Sequence, residues 1–289
     1  MIWLSTALAV VALVSVAVVV LSVLGVPERL SPVVAVLRAT AQLAALGLVL
    51  QGIINDVRWI VVALIVMNAV AVWTTAQRVD LHGTREWAAA VGAVPAGALA
   101  AAGVVFATGA LPMTPEYLLA FGGIMTGNSM TIASLAGRGF FDRVGEGWNE
   151  IEGWLALGAR PAHAAKRFVR LAAGRALMPS VDQARTAGLV TLPGAFVGAV
   201  FGGASPVEAA RFQLVVSSGV MAAGAVSAFV LLQILAHIAV RPRLEAVTQE
   251  IDKSPRQQNL IREDIFKESG KGAVTEAPQG GGDVVKRMD

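Results

Sequence analysis

Apolar residues in this chain run in long blocks separated by short polar punctuation. Seven blocks stand out, at 2–24, 32–52, 59–76, 87–108, 117–136, 181–201 and 209–240. A helix needs roughly 20 apolar residues to cross a bilayer, so the pattern predicts an all-α membrane protein of seven transmembrane helices. The separators carry turn chemistry, as in Gly25-Val26-Pro27-Glu28-Arg29, Leu111-Pro112-Met113-Thr114-Pro115 and Gly202-Gly203-Ala204-Ser205-Pro206. Glycine and proline at such places end helices and fix turns. The first block lacks the basic leader and short apolar core of a cleaved signal, so it is expected to remain as the first span. Residues 1–242 then form one transmembrane domain.

The longest polar interval, 137–180, carries seven of the 23 Lys and Arg. Within it, Glu152 is followed by Gly153-Trp154-Leu155-Ala156-Leu157-Gly158-Ala159 and then by Pro161. Glycine and proline after the last apolar position are helix stop signals. The segment is therefore predicted to be a short helix that plugs into another protein, with an ordinary helix lying on lipid headgroups as the alternative. From 243 to 289 the chain carries eight Lys and Arg, nine Asp and Glu, and a Gly280-Gly281-Gly282 run. That composition predicts a largely disordered tail.

Charge placement sets the orientation. The interval 137–180 and the segment from Arg241 onward hold most of the cations, whereas the alternate loops hold only Arg58. By the positive-inside rule, the N-terminus is expected outside, the interval 137–180 in the cytoplasm and the C-terminus inside. The chain is 55% hydrophobic and 15% charged, against about 25% charge in soluble domains. Its pI near 9.7 follows from these loops and points to no nucleic acid. The absence of Cys excludes disulfides and thiolate chemistry. The three His, at 82, 163 and 237, are isolated, which offers no metal cage, so a metal site stays unassigned. No G-x-x-x-x-G-K-[ST] loop occurs, so any ATP-driven step needs a second chain.

Polar groups inside the spans are the remaining candidates, because such groups are costly in lipid and face protein or water. Arg38 and Gln42 lie one helical turn apart in the second span, Asn128 and Met130 lie in the fifth, and Pro193-Gly194 interrupts the sixth. These six are candidate translocation-pathway residues. Helix packing or snorkelling to headgroups is the structural alternative for Arg38 and Gln42. Asn128 has helix bonding as its alternative, and Pro193-Gly194 has a packing kink. Asp182 and Arg185 are spaced to pair with each other. Gly123-x-x-x-Gly127 and Gly198-x-x-x-Gly202 read as close-approach sites.

The chain resembles the FetB-type permeases, iron-exporter membrane subunits of ABC transporters with plant relatives linked to aluminium tolerance. The resemblance lies in Arg38-x-x-x-Gln42-Leu43-x-x-x-Gly47, Gly127-Asn128-Ser129-Met130-Thr131, Glu150-Ile151-Glu152 through Leu155-Ala156-Leu157-Gly158-Ala159, Gly188-Leu189-Val190-Thr191-Leu192-Pro193-Gly194 and Gly202-Gly203-Ala204-Ser205-Pro206. It implies a homodimeric permease in the inner (plasma) membrane, paired with a separate cytoplasmic ATPase that binds the ATP and Mg, this chain carrying no cofactor of its own. It also implies that the segment with Glu150, Glu152, Trp154, Leu157, Gly158 and Ala159 is the coupling helix. That helix would lay Ile151, Trp154, Leu155 and Leu157 into a groove of the ATPase. Glu152 and Gly158 are similar in spacing to the acid and glycine of the coupling loop in ABC importers, with the proline that closes that loop coming later here, at Pro179. Where the family often has Met-Met-Thr-Gly-Gln after Leu-Pro-Gly, this chain has Ala195-Phe196-Val197-Gly198-Ala199. The departure bears on iron as the substrate and not on the subunit role. A scaffold or sensor acting through its tail is the alternative function.

Overall fold

The structure is a computed structural model, and it describes residues 2–27, 29–53 and 56–237. The expected tail at 243–289 and the end of the seventh block at 238–240 lie outside the described residues. The described residues form ten helices in order: α1 Ile2–Val23, α2 Ser31–Ile53, α3 Val57–Val79, α4 Thr84–Ala107, α5 Pro115–Glu146, α6 Trp148–Ala156, α7 Pro161–Ala164, α8 Lys166–Thr186, α9 Gly194–Phe201 and α10 Pro206–Leu235. No β-strand occurs among the described residues.

The helix starts follow from local chemistry. Asp56 caps α3 by accepting from the Arg58 N–H at 2.9 Å. Pro115 opens α5 with its preset φ. Ser205 and Glu208 form a reciprocal capping box on α10, with Pro206 at the first helical position. At the same end of the bundle, Arg211 donates to the Ala110 carbonyl at 2.9 Å and ties α10 to the turn after α4.

The core is built from α4, α5 and α10, flanked by α3 and α8, and its most extensive contact is α4 on α10. That contact depends on small residues. Ala89, Ala90, Ala93, Ala98 and Ala101 of α4 and Ala223 and Ala228 of α10 are buried. Gly97 is the closest point: a Cβ there would overlap Ser227 Oγ and the Ala223 carbonyl oxygen and stand 2.8 Å from Ser129 Oγ. Only hydrogen on that carbon lets the helix backbones approach so closely. Of the two expected Gly-x-x-x-Gly pairs, Gly123 does approach α3, with Met67 Cε 3.1 Å from an ideal Cβ, but neither pair makes the α4–α10 contact. A Cβ at Gly127 or Gly198 would meet nothing within 4 Å. Asn68 links α3 to α5 through Nδ2, which donates to Thr126 Oγ1 at 3.0 Å.

α1 and α2 pack against one another and stay out of this core. All their residues with described side chains are exposed or only partly covered. Apolar helices of this kind suit a lipid environment, where exposed Leu and Val carry no penalty.

Among the described residues, five helices are long and apolar enough to cross a membrane: α1 over Leu4–Val23, then α3, α4, α5 and α10. α2 adds a shorter apolar stretch, Ser31–Gly47. The predicted sixth span, 181–201, is not a continuous helix. α8 starts at Lys166 within the polar interval and ends at Thr186. The chain then turns through an isolated bridge between Ala187 and Thr191, with Gly188 at φ +84°. Thr186 accepts at its carbonyl from the N–H groups of Leu189, Val190 and Thr191. Leu192 precedes a proline and is steered away from helical geometry, so α9 starts anew at Gly194. The apolar residues of 181–201 thus belong to two helices and a turn. The fifth span also extends beyond its predicted end at 136, because α5 continues to Glu146.

Candidate functional site

Two regions gather the candidate residues. The first is built on the extension of α5. Arg138 Nε donates to the Arg78 carbonyl at 2.6 Å, which sets the last turn of α3 level with Arg138. α5 runs eight residues further to Glu146, roughly 12 Å at 1.5 Å per residue. α6 follows directly on that extension. Gly147 makes the joint, its N–H donating to the Arg143 carbonyl at 2.8 Å. The Phe168 ring of α8 lies where a side chain on residue 147 would go, 2.6 Å from an ideal Cβ.

The expected short helix is present as α6, starting at Trp148 rather than near Glu152 and capped at Leu157. Gly158 follows with φ +82°, a conformation in which an L-residue is strained, and its N–H donates to the Leu155 carbonyl at 2.9 Å. The Ala159 N–H donates to the Trp154 carbonyl at 3.0 Å. Not all of the expected apolar face is turned outward. Ile151 is buried and Leu155 packs against the core, because residues four apart share the face that meets the protein's own bundle. Trp154 and Leu157 point outward instead, 44% and 82% exposed. Glu152 is exposed.

Beside this helix lies a cavity of about 380 Å³ lined by Trp154, His163, Lys166, Arg167, Arg170 and Leu171, with Glu150 at its edge. Arg167 NH1 pairs with Glu150 Oε2 at 2.7 Å. The Trp154 and His163 rings meet edge-on with centroids 5.8 Å apart. Lys166 and Arg170 add positive charge with no ion pair among the described residues. Pro179 does not close the segment; it lies inside α8.

The second region is the break between α8 and α9. A cavity of about 220 Å³ opens there, bounded by α5, α8, α9 and α10. Three of the six pathway candidates meet in its wall: Asn128, Pro193 and Gly194. Sequence reasoning missed Ser180, Gln183, Gln213 and Ser217, which also line it. Their helical spacing, three residues apart in α8 and four in α10, was the available signal. Asn128 Nδ2 donates to the Ile124 carbonyl at 2.8 Å, a bond within its own helix. Gln213 Nε2 donates to Ser217 Oγ at 2.8 Å. Gln213 Oε1 is buried without a partner among the described residues.

The other pathway candidates lie elsewhere. Met130 is half-buried and packs against the core. Arg38 and Gln42 are exposed on α2, which packs on α1 and not on the helices that form the cavity. Arg185 and Asp182 do pair, at 3.3 Å, on an exposed face of α8.

Comparison with known proteins agrees with the resemblance in the motifs. The chain is 38% identical over 195 residues to the UPF0014 membrane protein STAR2 of Oryza sativa subsp. japonica, covering 67% of this chain and 68% of the relative. It is 35% identical over 192 residues to Protein ALUMINUM SENSITIVE 3 of Arabidopsis thaliana, covering 66% and 70%. It is 29% identical over 195 residues to the probable iron export permease protein FetB of Escherichia coli (strain K12), covering 67% and 75%. No solved structure matches. The model of the family described as Uncharacterised protein family (UPF0014) matches residues 3–239. With its apolar helices and these membrane-protein relatives, the chain is a multi-pass membrane protein and belongs to the UPF0014 family.

Proposed function

We propose that this chain is the membrane permease subunit of an ABC transporter, exporting iron or another metal and driven by a separate cytoplasmic ATPase. One observation carries the reading: α6 turns Trp154 and Leu157 outward at the end of an α5 extension that runs roughly 12 Å past Arg138. A short helix that rests one apolar face on the bundle and turns Trp154 and Leu157 outward offers a surface for a motor chain to grip. The probable iron export permease among the relatives supports the transport class and the metal.

In this reading α1, α2, α3, α4, α5, the broken pair α8–α9 and α10 cross the inner (plasma) membrane. The N-terminus is outside, and α6 and the C-terminus are in the cytoplasm. ATP and Mg bind in the partner, two copies of this chain form the permease, and no nucleic acid is involved. The α8–α9 cavity belongs to the translocation path. Asn128 lies ten residues before Arg138 along α5, roughly 15 Å and half the hydrocarbon thickness. Sites near the midplane, at the ends of discontinuous helices, are a common transporter design. Arg38, Gln42 and Met130 lie apart from this cavity within one chain, so any pathway role for them requires the second copy or a rearrangement. Force on α6 reaches the cavity through two rigid routes, directly along α5 and through Phe168 into α8.

The test is reconstitution in vesicles with a candidate ABC ATPase that co-purifies with the chain. The wild-type chain is expected to stimulate ATP hydrolysis and metal efflux. Leu157→Asp is expected to abolish both while the protein still inserts and elutes as a single species. Stimulation that survives this change, and survives Gly158→Val as well, would remove α6 from the coupling role.

A further inference from the structure

The cavity between α6 and α8 gathers more positive charge than its walls neutralise. Lys166, Arg167 and Arg170 lie three and four residues apart, so they share one side of α8 and line this space of about 380 Å³. Glu150 is the one carboxylate in the described lining, and Arg167 holds it at 2.7 Å. Lys166 and Arg170 are left one helical turn apart on the cavity wall, exposed and with no ion pair among the described residues. Like charges at that spacing repel, and an anion seated between them turns the repulsion into two attractions.

The rest of the wall says which anion. Trp154 and Leu171 expose apolar surface beside the two cations, and the Trp154 ring stands edge-on to His163. A free phosphate would leave that surface wet, whereas a lipid brings a phosphate and apolar atoms together. Tryptophan beside basic side chains is the usual dress of a membrane interface. Depth agrees. Arg170 lies thirteen residues before Gln183, which lines the α8–α9 cavity, roughly 20 Å back along the helix. With that cavity near the midplane, Arg170 falls where headgroups stand, about 15 to 22 Å from the bilayer centre. Lys166, one turn further out, reaches back along its flexible stem.

We propose that this cavity binds the phosphate of an anionic phospholipid between Lys166 and Arg170, with the glycerol side of the headgroup against Trp154 and Leu171. The proposal rests on the transmembrane placement given above, and it stands whether or not α6 couples to a motor. Basic pockets on the cytoplasmic side of membrane helices recognise headgroups in this way. Here the lipid joins α8 to the root of α6.

The experiment is native mass spectrometry of the full chain in neutral detergent, titrated with phosphatidylglycerol or phosphatidylcholine. One phosphatidylglycerol is expected to be retained at concentrations where no phosphatidylcholine is. Arg170→Gln is expected to weaken its binding about fivefold, and Lys166→Gln with Arg170→Gln about thirtyfold. Arg170→Lys, which keeps the charge, is expected to retain it. Arg175→Gln removes the same charge from α8 outside the cavity lining and is expected to change nothing. Unaltered unfolding temperatures certify each variant, and the single change serves if the double variant folds poorly. Equal retention of the two lipids, or equal weakening by Arg175→Gln and Arg170→Gln, overturns the proposal in favour of diffuse attraction to the surface. Displacement of the lipid by inorganic phosphate at equal concentration overturns it in favour of a soluble phosphate ligand. None of these results bears on metal efflux, so the transport reading stands or falls separately.

Discussion

Replacing Gly97 by alanine adds one methyl group at the closest point between α4 and α10. The new Cβ would overlap Ser227 Oγ and the Ala223 carbonyl oxygen. Rotation about χ1 can carry the serine hydroxyl away, but the carbonyl oxygen is backbone and moves only if the helices separate. Overpacking of this kind costs about 1–3 kcal/mol. Gly103, six residues further along the same helix, supplies the control, because a Cβ there meets nothing within 4 Å. Gly103→Ala keeps only the helix-propensity gain, about 1 kcal/mol in favour of folding. The propensity gain is common to both changes, so Gly97→Ala is expected to end about 1–3 kcal/mol less stable than Gly103→Ala. Thermal unfolding in detergent, followed by the loss of the monodisperse elution peak, measures both variants against wild type. Adding Ser227→Ala to Gly97→Ala is expected to recover only part of the loss, since the carbonyl remains. Equal shifts for Gly97→Ala and Gly103→Ala, or full recovery with Ser227→Ala, would refute the claim that backbone contact sets the distance between these helices.

Three further outcomes follow from named contacts. Ser205→Ala removes the α10 cap and is expected to cost about 1 kcal/mol, read from the same unfolding measurement. The Glu150–Arg167 pair has side chains 38% and 68% exposed, so a double-mutant cycle should give a coupling of only ~0.2–1 kcal/mol that fades with added salt. Gly158→Val forces a branched residue to φ +82° and is expected to lower ATPase stimulation severalfold while leaving the unfolding temperature of the bundle unchanged.

Much of the architecture was legible because lipid imposes simple rules. Long apolar runs and turn residues marked α1, α3, α4, α5 and α10, and the stop at Leu157-Gly158 marked the end of α6. α8 was hidden for a physical reason. Phe168, Ala172 and Ala176 are buried at four-residue intervals, a clear helical stripe. The cations between them made the same residues read as a loop, and the apolar end of α8 was merged with α9 into one span. The outward face of α6 was half right because a helix has two apolar sides when it both rests on a bundle and faces away from it. Asn128, Pro193 and Gly194 were singled out as isolated polar or flexible points, and the fold brings them to one wall. Gln213 and Ser217 gave no comparable signal, because a polar pair near a span end looks like ordinary interfacial chemistry. Arg38 and Gln42 illustrate the opposite limit: one chain gives their helix no partner in the core.

The 32-residue α5 holds the wall of the α8–α9 cavity and the root of α6 on a single unbroken rod, with Asn128 at one station and Glu146 at its tip. Eighteen residues separate them, about 27 Å of helix. A tilt of about ten degrees hinged at Asn128 sweeps the tip through on the order of 5 Å. Run in reverse, the same lever would turn a displacement of several ångströms at the far end into a much smaller adjustment beside Asn128, on the scale of a single hydrogen bond.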